Sequence, residues 1–371
     1  MKLFEIPMVV ASLVGLCFLA GLDAPLARAD FTFGTPVDQT SVIPVLDPLY
    51  ENPFCLTADG LEMYGISFRP EAIGGCDIWV SKRASIDAPW PAPQHLGPAV
   101  NEPNGAHAPG LSADGLELYF SSQRADGYGN HDLYVSTRAS RNDPWGKAVN
   151  LGPKVNGPSH EAIPTLSPDD LELYFTSDRP GGYGGFDIYV TKRATKKDPW
   201  GVPQNLGPVV NSAYDDCGPC LSTDGLLLVF QDFGGNPPRP GGYGNGDIWM
   251  TRRITVSAPW EPPVNLGPTI NGPTFATFPR LTPDACWLYY TTVNDDWSVW
   301  QNWQAPILPI VDFNGDKKVD FVDLVMLIDD WGTNKTLCDI GPMPWGDGKV
   351  DIEDLKVFMT YYEKANPPVK P

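Results

Sequence analysis

Short apolar-rich runs, each ended by a turn signal, fill most of this chain. Leu116-Glu117-Leu118-Tyr119-Phe120-Ser121 is one such strand-length run, preceded by Asp114-Gly115 and followed by a glycine-rich stretch from Arg124 to Gly129. A further run covers Leu133 to Thr137, and another lies around Ala148 to Leu151. Before Asp114-Gly115, a strand ends in Pro109-Gly110-Leu111-Ser112, and Asp-Gly is a hairpin signal because Gly accepts the positive φ of a tight turn. The succession returns at a constant step, with Asp59, Asp114, Asp169 and Asp224 each 55 residues apart and a degenerate copy at Asp284 after a further 60.

A fixed period of this length is the mark of a repeat architecture. Four antiparallel strands per repeat describe one blade of a β-propeller, whose strands are covered on both faces by neighbouring blades. The fifth unit, from Phe278 to about Trp300, lacks the Pro-Trp and Asn-Leu-Gly-Pro section that the others carry at Trp90, Trp145, Trp200 and Trp260. Phe33-Gly34-Thr35-Pro36-Val37 resembles that missing section, so the start of the chain is expected to supply the outer strand of the last blade and close the ring. The expected fold is an all-β, five-bladed β-propeller; a six-bladed ring is the alternative if residues 38–50 hide a degenerate unit.

Composition agrees. Forty Pro and 37 Gly are too many for a helical protein, and 12 Trp with 14 Tyr too many for a disordered one. Residues 1–29 read as a signal peptide: Lys2, an apolar run from Val9 to Leu22, and Ala27-Arg28-Ala29 before Asp30. The run is short for a membrane span and ends in Asp23 and Pro25, so the mature chain is expected to carry no span and to be secreted or held in the cell envelope. Cys17 follows Leu16 rather than a small residue, which argues against lipid attachment.

The formal charge is −19, with no stripe of Lys and Arg to meet a phosphate backbone, so nucleic acid is excluded as a partner and cations suit the surface better. Six further cysteines permit disulfides in an exported chain, with connectivity open. Cys217-Gly218-Pro219-Cys220 imitates a redox motif, but it opens a strand rather than the helix that would activate a thiolate.

The repeat Leu-Ser-x-Asp-Gly-x-x-Leu-Tyr-Phe-x-Ser-x-Arg followed by Asp-Ile-Tyr-Val resembles the WD40-like PD40 repeat of TolB-type propellers, over about residues 30–304. That resemblance implies a ring used mostly for protein or ligand binding, usually with six blades.

Among polar positions, Arg69, Arg124, Arg179 and Arg239 stand in register with Asp77, Asp132, Asp187 and Asp247, as a salt bridge or loop cap repeated in every blade. The repeated tryptophans read as packing anchors between blades, and Tyr128, Tyr183 and Tyr243, set between glycines, as stacking candidates. The irregular positions just before the innermost strands are more informative, because they should ring one mouth of the channel. Glu51, Glu161 and Asp216, with His107 and His160 beside them, form the candidate ligand site, for a cation or a polar ligand.

From Ala305 the composition changes through a short linker, 305–311, into a different pattern over 312–371. Asp312, Asn314, Asp316, Asp320 and Asp323 occupy positions 1, 3, 5, 9 and 12 of a loop, with the Lys318 carbonyl at position 7. That spacing suits Ca2+, which takes about six to eight oxygens, although Lys317 stands at position 6 where Gly eases the turn. A second loop supplies Asp347, Lys349, Asp351 and Asp354 at positions 5, 7, 9 and 12, with Asp339 at position 1 if residues 341–345 bulge out.

The pair of loops resembles a type I dockerin module, a small all-α calcium-binding domain. The resemblance implies a protein partner, a cohesin or another envelope protein, chosen through positions 10 and 11, here Phe321-Val322 and Ile352-Glu353. These features favour an exported, non-catalytic binding protein whose propeller recognises a protein or a glycan. A secreted glycoside hydrolase and a structural envelope protein are the alternatives; near-identity of the blades argues against catalysis.

Overall fold

The computed structural model describes residues 31–39, 55–233, 239–334 and 336–366. The proposed signal peptide and Glu51 lie outside them. Two compact units are present, Phe31–Pro309 and a second from Ile310 onward.

The first unit holds five antiparallel sheets, one per repeat. Their innermost strands are Cys55–Leu56, His107–Leu111, Glu161–Leu166, Asp215–Leu221 and Phe275–Leu281. Four of the sheets then step outward through a second and a third strand, as in Glu117–Ser122 and Asp132–Thr137 of blade two, to a two-residue outer strand, there Val149–Asn150. Five blades result. The hairpin between the first two strands is set locally: the Asp114 carboxylate accepts from Ser112 Oγ and the Leu116 amide, while Gly115 takes φ 69°. Asp170 and Ala285 replace that Gly in two blades and keep the same left-handed backbone, at 59° and 55°.

Blades are joined by a repeated cluster. Tyr64 donates to Glu62 at 2.7 Å, Arg138 of the next blade reaches Glu62 at 3.0 Å, and the same guanidinium lies 4.4 Å above the Trp145 ring, which packs edge-on against Tyr64. Tyr119, Glu117, Arg193 and Trp200 repeat it, as do Tyr174, Glu172, Arg253 and Trp260. The tryptophans are packing anchors, as expected.

Of the two roles expected for these positions, the loop cap forms and the arginine–aspartate salt bridge does not. Each Asp caps its own glycine loop: Asp132 accepts from the Tyr128 and Gly129 amides, and Asp187 from those of Tyr183 and Gly184. The arginines lie over aromatic rings of the third strands, with Arg239 4.4 Å above Trp249, and Arg124, Arg179 and Arg239 turn to Glu102, Glu161 and Asp216. A carboxylate surrounded by backbone amides needs no guanidinium, which leaves the arginine free to stack.

Phe31–Phe33 and Val37–Asp38 pair with the third strand of blade five, Phe31 opposite Pro309 and Val37 opposite Gln304. The amino-terminal segment therefore closes the ring. That third strand runs Trp300–Pro309, so 305–309 is strand and not linker. Pro306 and Pro309 disguise it, but Ala305 and Ile307 are buried on alternate positions, and period-two burial is the signature of a strand.

The second unit is small: helices α1 (Phe321–Asp329) and α2 (Ile352–Ala365), a single 3₁₀ turn at Thr336–Cys338, and a core around Phe313, Leu327, Ile340, Trp345 and Phe358. Asp320 with Asp323, and Asp351 with Asp354, form reciprocal capping boxes at the two helix starts. No helix among the described residues is long and apolar enough to cross a membrane.

Candidate functional site

The innermost strands are kinked at equivalent places. Register slips between His107 and Gly110, Ala162 and Thr165, Cys217 and Cys220, and Thr277 and Arg280, where Ala108, Ile163, Gly218 and Phe278 all take positive φ. Such bulges re-aim side chains, and a β-branched or bulky residue held left-handed is strained. Here they surround a cavity of about 250 Å3 at one end of the channel, lined by Ala108, Ile163 and Phe278 together with His107, His131 and His160.

The imidazoles form one cluster. His131 and His160 belong to adjacent blades, linked by a bridge in which the Glu161 amide donates to the His131 carbonyl at 2.8 Å. Their rings stack with centroids 4.2 Å apart; His107 meets His131 edge-on at 5.4 Å, and Phe186 meets His160 edge-on at 5.5 Å. Burial lowers the pKa of all three, and His131 falls to about 3 because His160 and His107 add to the effect. At neutral pH the cluster is uncharged. Gln123 lies 3.2 Å from His131 Nδ1, whereas the ring nitrogens of His107 and His160 have no hydrogen-bond partner among the described residues.

The aromatic lining continues outward. Phe233 of the cavity wall lies 6.2 Å from Trp297, which also packs on Phe275 at 4.9 Å. Trp297 sits at the hairpin tip of blade five with φ 60°, held there because its amide donates to the Asn294 carbonyl while Asn294 Oδ1 accepts from Ser298 and Val299.

Of the expected site residues, His107 and His160 face this cavity. Glu161 and Asp216 do not form an acidic cluster there. Glu161 is fully buried and accepts from Gly157, Ser177 and Arg179; Asp216, also fully buried, pairs with Arg239 at 2.5 Å and accepts from both groups of Ser212. Burial still pushes Asp216 up to about 6. Both carboxylates are scaffold groups tying a loop to its blade. His131 and the aromatic rim were not anticipated, although the residue before each capping Asp does vary: Cys76, His131, Phe186 and Gly246. Tyr128, Tyr183 and Tyr243 remain about half exposed on their loops.

Cys217 and Cys220 are buried in the bulge of an innermost strand, and burial raises both thiols; no disulfide joins any of the six described cysteines.

In the second unit the Asp312 carboxylate accepts from the amides of Gly315, Asp316 and Lys317, wrapping residues 312–317 around it. Asp339 does the same for Asp347 and Gly348, with four more residues between Asp339 and Asp347 than between Asp312 and Asp316. Asp323 and Asp354 are buried and each accepts from three backbone amides of its own loop. The donor set of the first loop is all oxygen, the chemistry a hard divalent cation takes. Among the described residues, no three carboxylates, imidazoles or thiols converge as ligands on one point.

No family model and no curated protein matches this chain. Solved structures do. TolB from Acinetobacter baumannii is 14% identical with a TM-score of 0.44, over 76% of this chain and 65% of its own, so the match spans just under two thirds of that protein. The α-L-arabinofuranosidase PaAbf62A from Podospora anserina, in complex with cellotriose, gives 13% and 0.47 over 76% and 97%. The GH43 protein BlXynB from Bacillus licheniformis gives 15% and 0.48 over 75% and 55%. At these identities the likeness concerns the propeller fold alone.

Proposed function

We propose that this protein is a non-catalytic binding protein: the histidine-lined mouth of the propeller takes a ligand, and the carboxy-terminal unit attaches the chain to a protein partner in a calcium-dependent way. The observation that carries the first half is the character of the cavity wall. It combines unpaired neutral imidazoles, aromatic rings and strained backbone, while the two carboxylates that could have served as acid and base, Glu161 and Asp216, are folded back onto arginines. Glycoside hydrolysis ordinarily uses two carboxyl groups facing each other across the scissile bond. The described lining of this cavity offers neither.

The second half rests on two features of the small unit. Its loops carry oxygen donors, namely Asp312, Asn314, Asp316, Lys318 (carbonyl), Asp320 and Asp323, then Asp339, Asp347, Lys349 (carbonyl), Asp351 and Asp354, that would hold Ca2+. Bound calcium supplies charge neutralisation for loops that gather this many acids. In addition, Phe321, Val325 and Ile328 form an exposed apolar stripe along α1, with Trp331 exposed just after it and Ile352 at the start of α2, a surface suited to docking on a cohesin-like or other envelope protein. Export is part of the same proposal.

The discriminating experiment incubates the purified chain with polysaccharides and follows both retention and release of new reducing ends. Saturable retention without release is expected. Release that persists in the active preparation and disappears in Glu161→Gln would replace this reading with a hydrolase.

A further inference from the structure

We infer that the ligand of the histidine-lined mouth is an uncharged sugar ring of a glycan chain, seated against Trp297 and Phe233 with its hydroxyls on His107 and His160. This rests on the reading of that mouth as a binding site.

Three properties of the wall select the class. First, the imidazole nitrogens of His107 and His160 have no protein partner in the half-buried wall and are not closed off from water, so an occupant that offers only hydrocarbon, such as a Leu or Phe side chain of a peptide, would strip that water, leave them unpaired and lose affinity for it. Hydroxyl groups both donate and accept, and so can satisfy a neutral imidazole in either tautomer. Second, the remainder of the wall is mostly apolar and aromatic, with the Ser121 and Thr176 hydroxyls and the Cys217 thiol among it, and Phe233, Phe275 and Trp297 extend it to the rim, where Trp297 is 39% exposed. A sugar ring has C–H faces that lie on such rings and hydroxyl edges that reach past them. Third, charge is absent from the lining. A cationic ligand would find no carboxylate among the described lining residues, and an anionic one would meet imidazoles that burial keeps neutral. Asp295 and Asp296, on the hairpin that carries Trp297, add repulsion against an acidic sugar.

The volume is in keeping: about 250 Å3 admits one ring and its substituents rather than a folded partner. The rest of a glycan chain would run outward over the rim.

The test is calorimetric titration of the full mature chain with three probes: neutral oligosaccharides, oligogalacturonate and an aromatic-rich peptide. A neutral oligosaccharide is expected to bind. Trp297→Ala should weaken it about tenfold or more, the loss of one good ring contact. His160→Phe keeps the stack on His131 and the edge contact with Phe186 but removes the nitrogens; it should weaken binding by a similar factor without lowering Tm. If the acidic oligomer or the peptide binds instead, and responds to the same two variants, the inference falls while the mouth remains a binding site. If no probe binds at millimolar concentration, or binding ignores both variants, the inference and the reading beneath it fall together.

Discussion

The imidazoles of His131 and His160 stack at 4.2 Å and 20° from parallel although they belong to neighbouring blades. A protonated pair in that geometry would place two positive charges face to face, so the folded state holds the rings neutral. His107 joins them edge-on, and among the described residues Asp178 beside His160 and Asp77 towards His107 oppose the depression.

An acid-dependent loss of stability follows. The pKa of each histidine is depressed in the folded state, to about 3 at His131, against about 6.5 in an unfolded chain. Between those values the unfolded chain binds the proton and the folded one does not, so this contribution to stability is lost as pH falls below about 6.5, by at most about 1.4 kcal/mol per pH unit for each histidine. Asp216 and Asp232, held up to about 6, act in the opposite sense and gain stability over the same descent. The diagnostic is therefore a difference. Urea denaturation of the wild type and His131→Phe from pH 7 to 5 should show the gap narrowing, or reversing in favour of the variant, as pH falls. A constant gap would mean that His131 titrates normally.

Glu161→Gln and Asp216→Asn should behave as stability variants. Each removes the charge that a guanidinium, Arg179 or Arg239, is folded against, and breaking a buried pair costs about 3 kcal/mol or more, less where the arginine keeps some contact with water, as Arg179 does. Lower midpoints with unchanged saturable binding are expected. Loss of binding at an unchanged midpoint would return these carboxylates to the ligand site.

How much of this was legible in the sequence depended on the reach of each interaction. The hairpins and capping aspartates are written within a few residues, so the repeat, the five blades and the closing strand from Phe31 could be read directly. Glu161 and Arg179 are 18 residues apart and Asp216 and Arg239 are 23 apart; no local rule says whether such a carboxylate faces the channel or folds back. The histidine cluster spans two blades, and His131 lies in a loop that every other blade fills with a different residue. Only the packing of one blade on the next brings it to His160.

Calcium should raise the melting temperature of the carboxy-terminal unit if its loops bind the ion. A ligand that binds only the folded form stabilises it by about 2.7 kcal/mol at a concentration 100 times Kd. Differential scanning calorimetry with calcium and then with EDTA checks this, and Asp312→Ala should abolish the first loop's share. Identical melting curves in both solutions would remove calcium from the proposal.

Where the propeller ends can be tested by truncation. Ending the chain at 304 removes Ala305 to Pro309, which pair with Trp287 and Leu288 on one side and with Phe31 to Phe33 on the other. The amino-terminal strand then loses most of its partner, Phe31 no longer sits beneath the Arg252 guanidinium, and the edge of blade five is left with unpaired N–H and C=O groups. Ending the chain at 309 disturbs none of these pairings. The shorter form should aggregate or lose its cooperative transition, and the form five residues longer should melt as the full propeller does. If both fold equally well, the last five residues are a linker after all and closure rests on Val37–Asp38 alone.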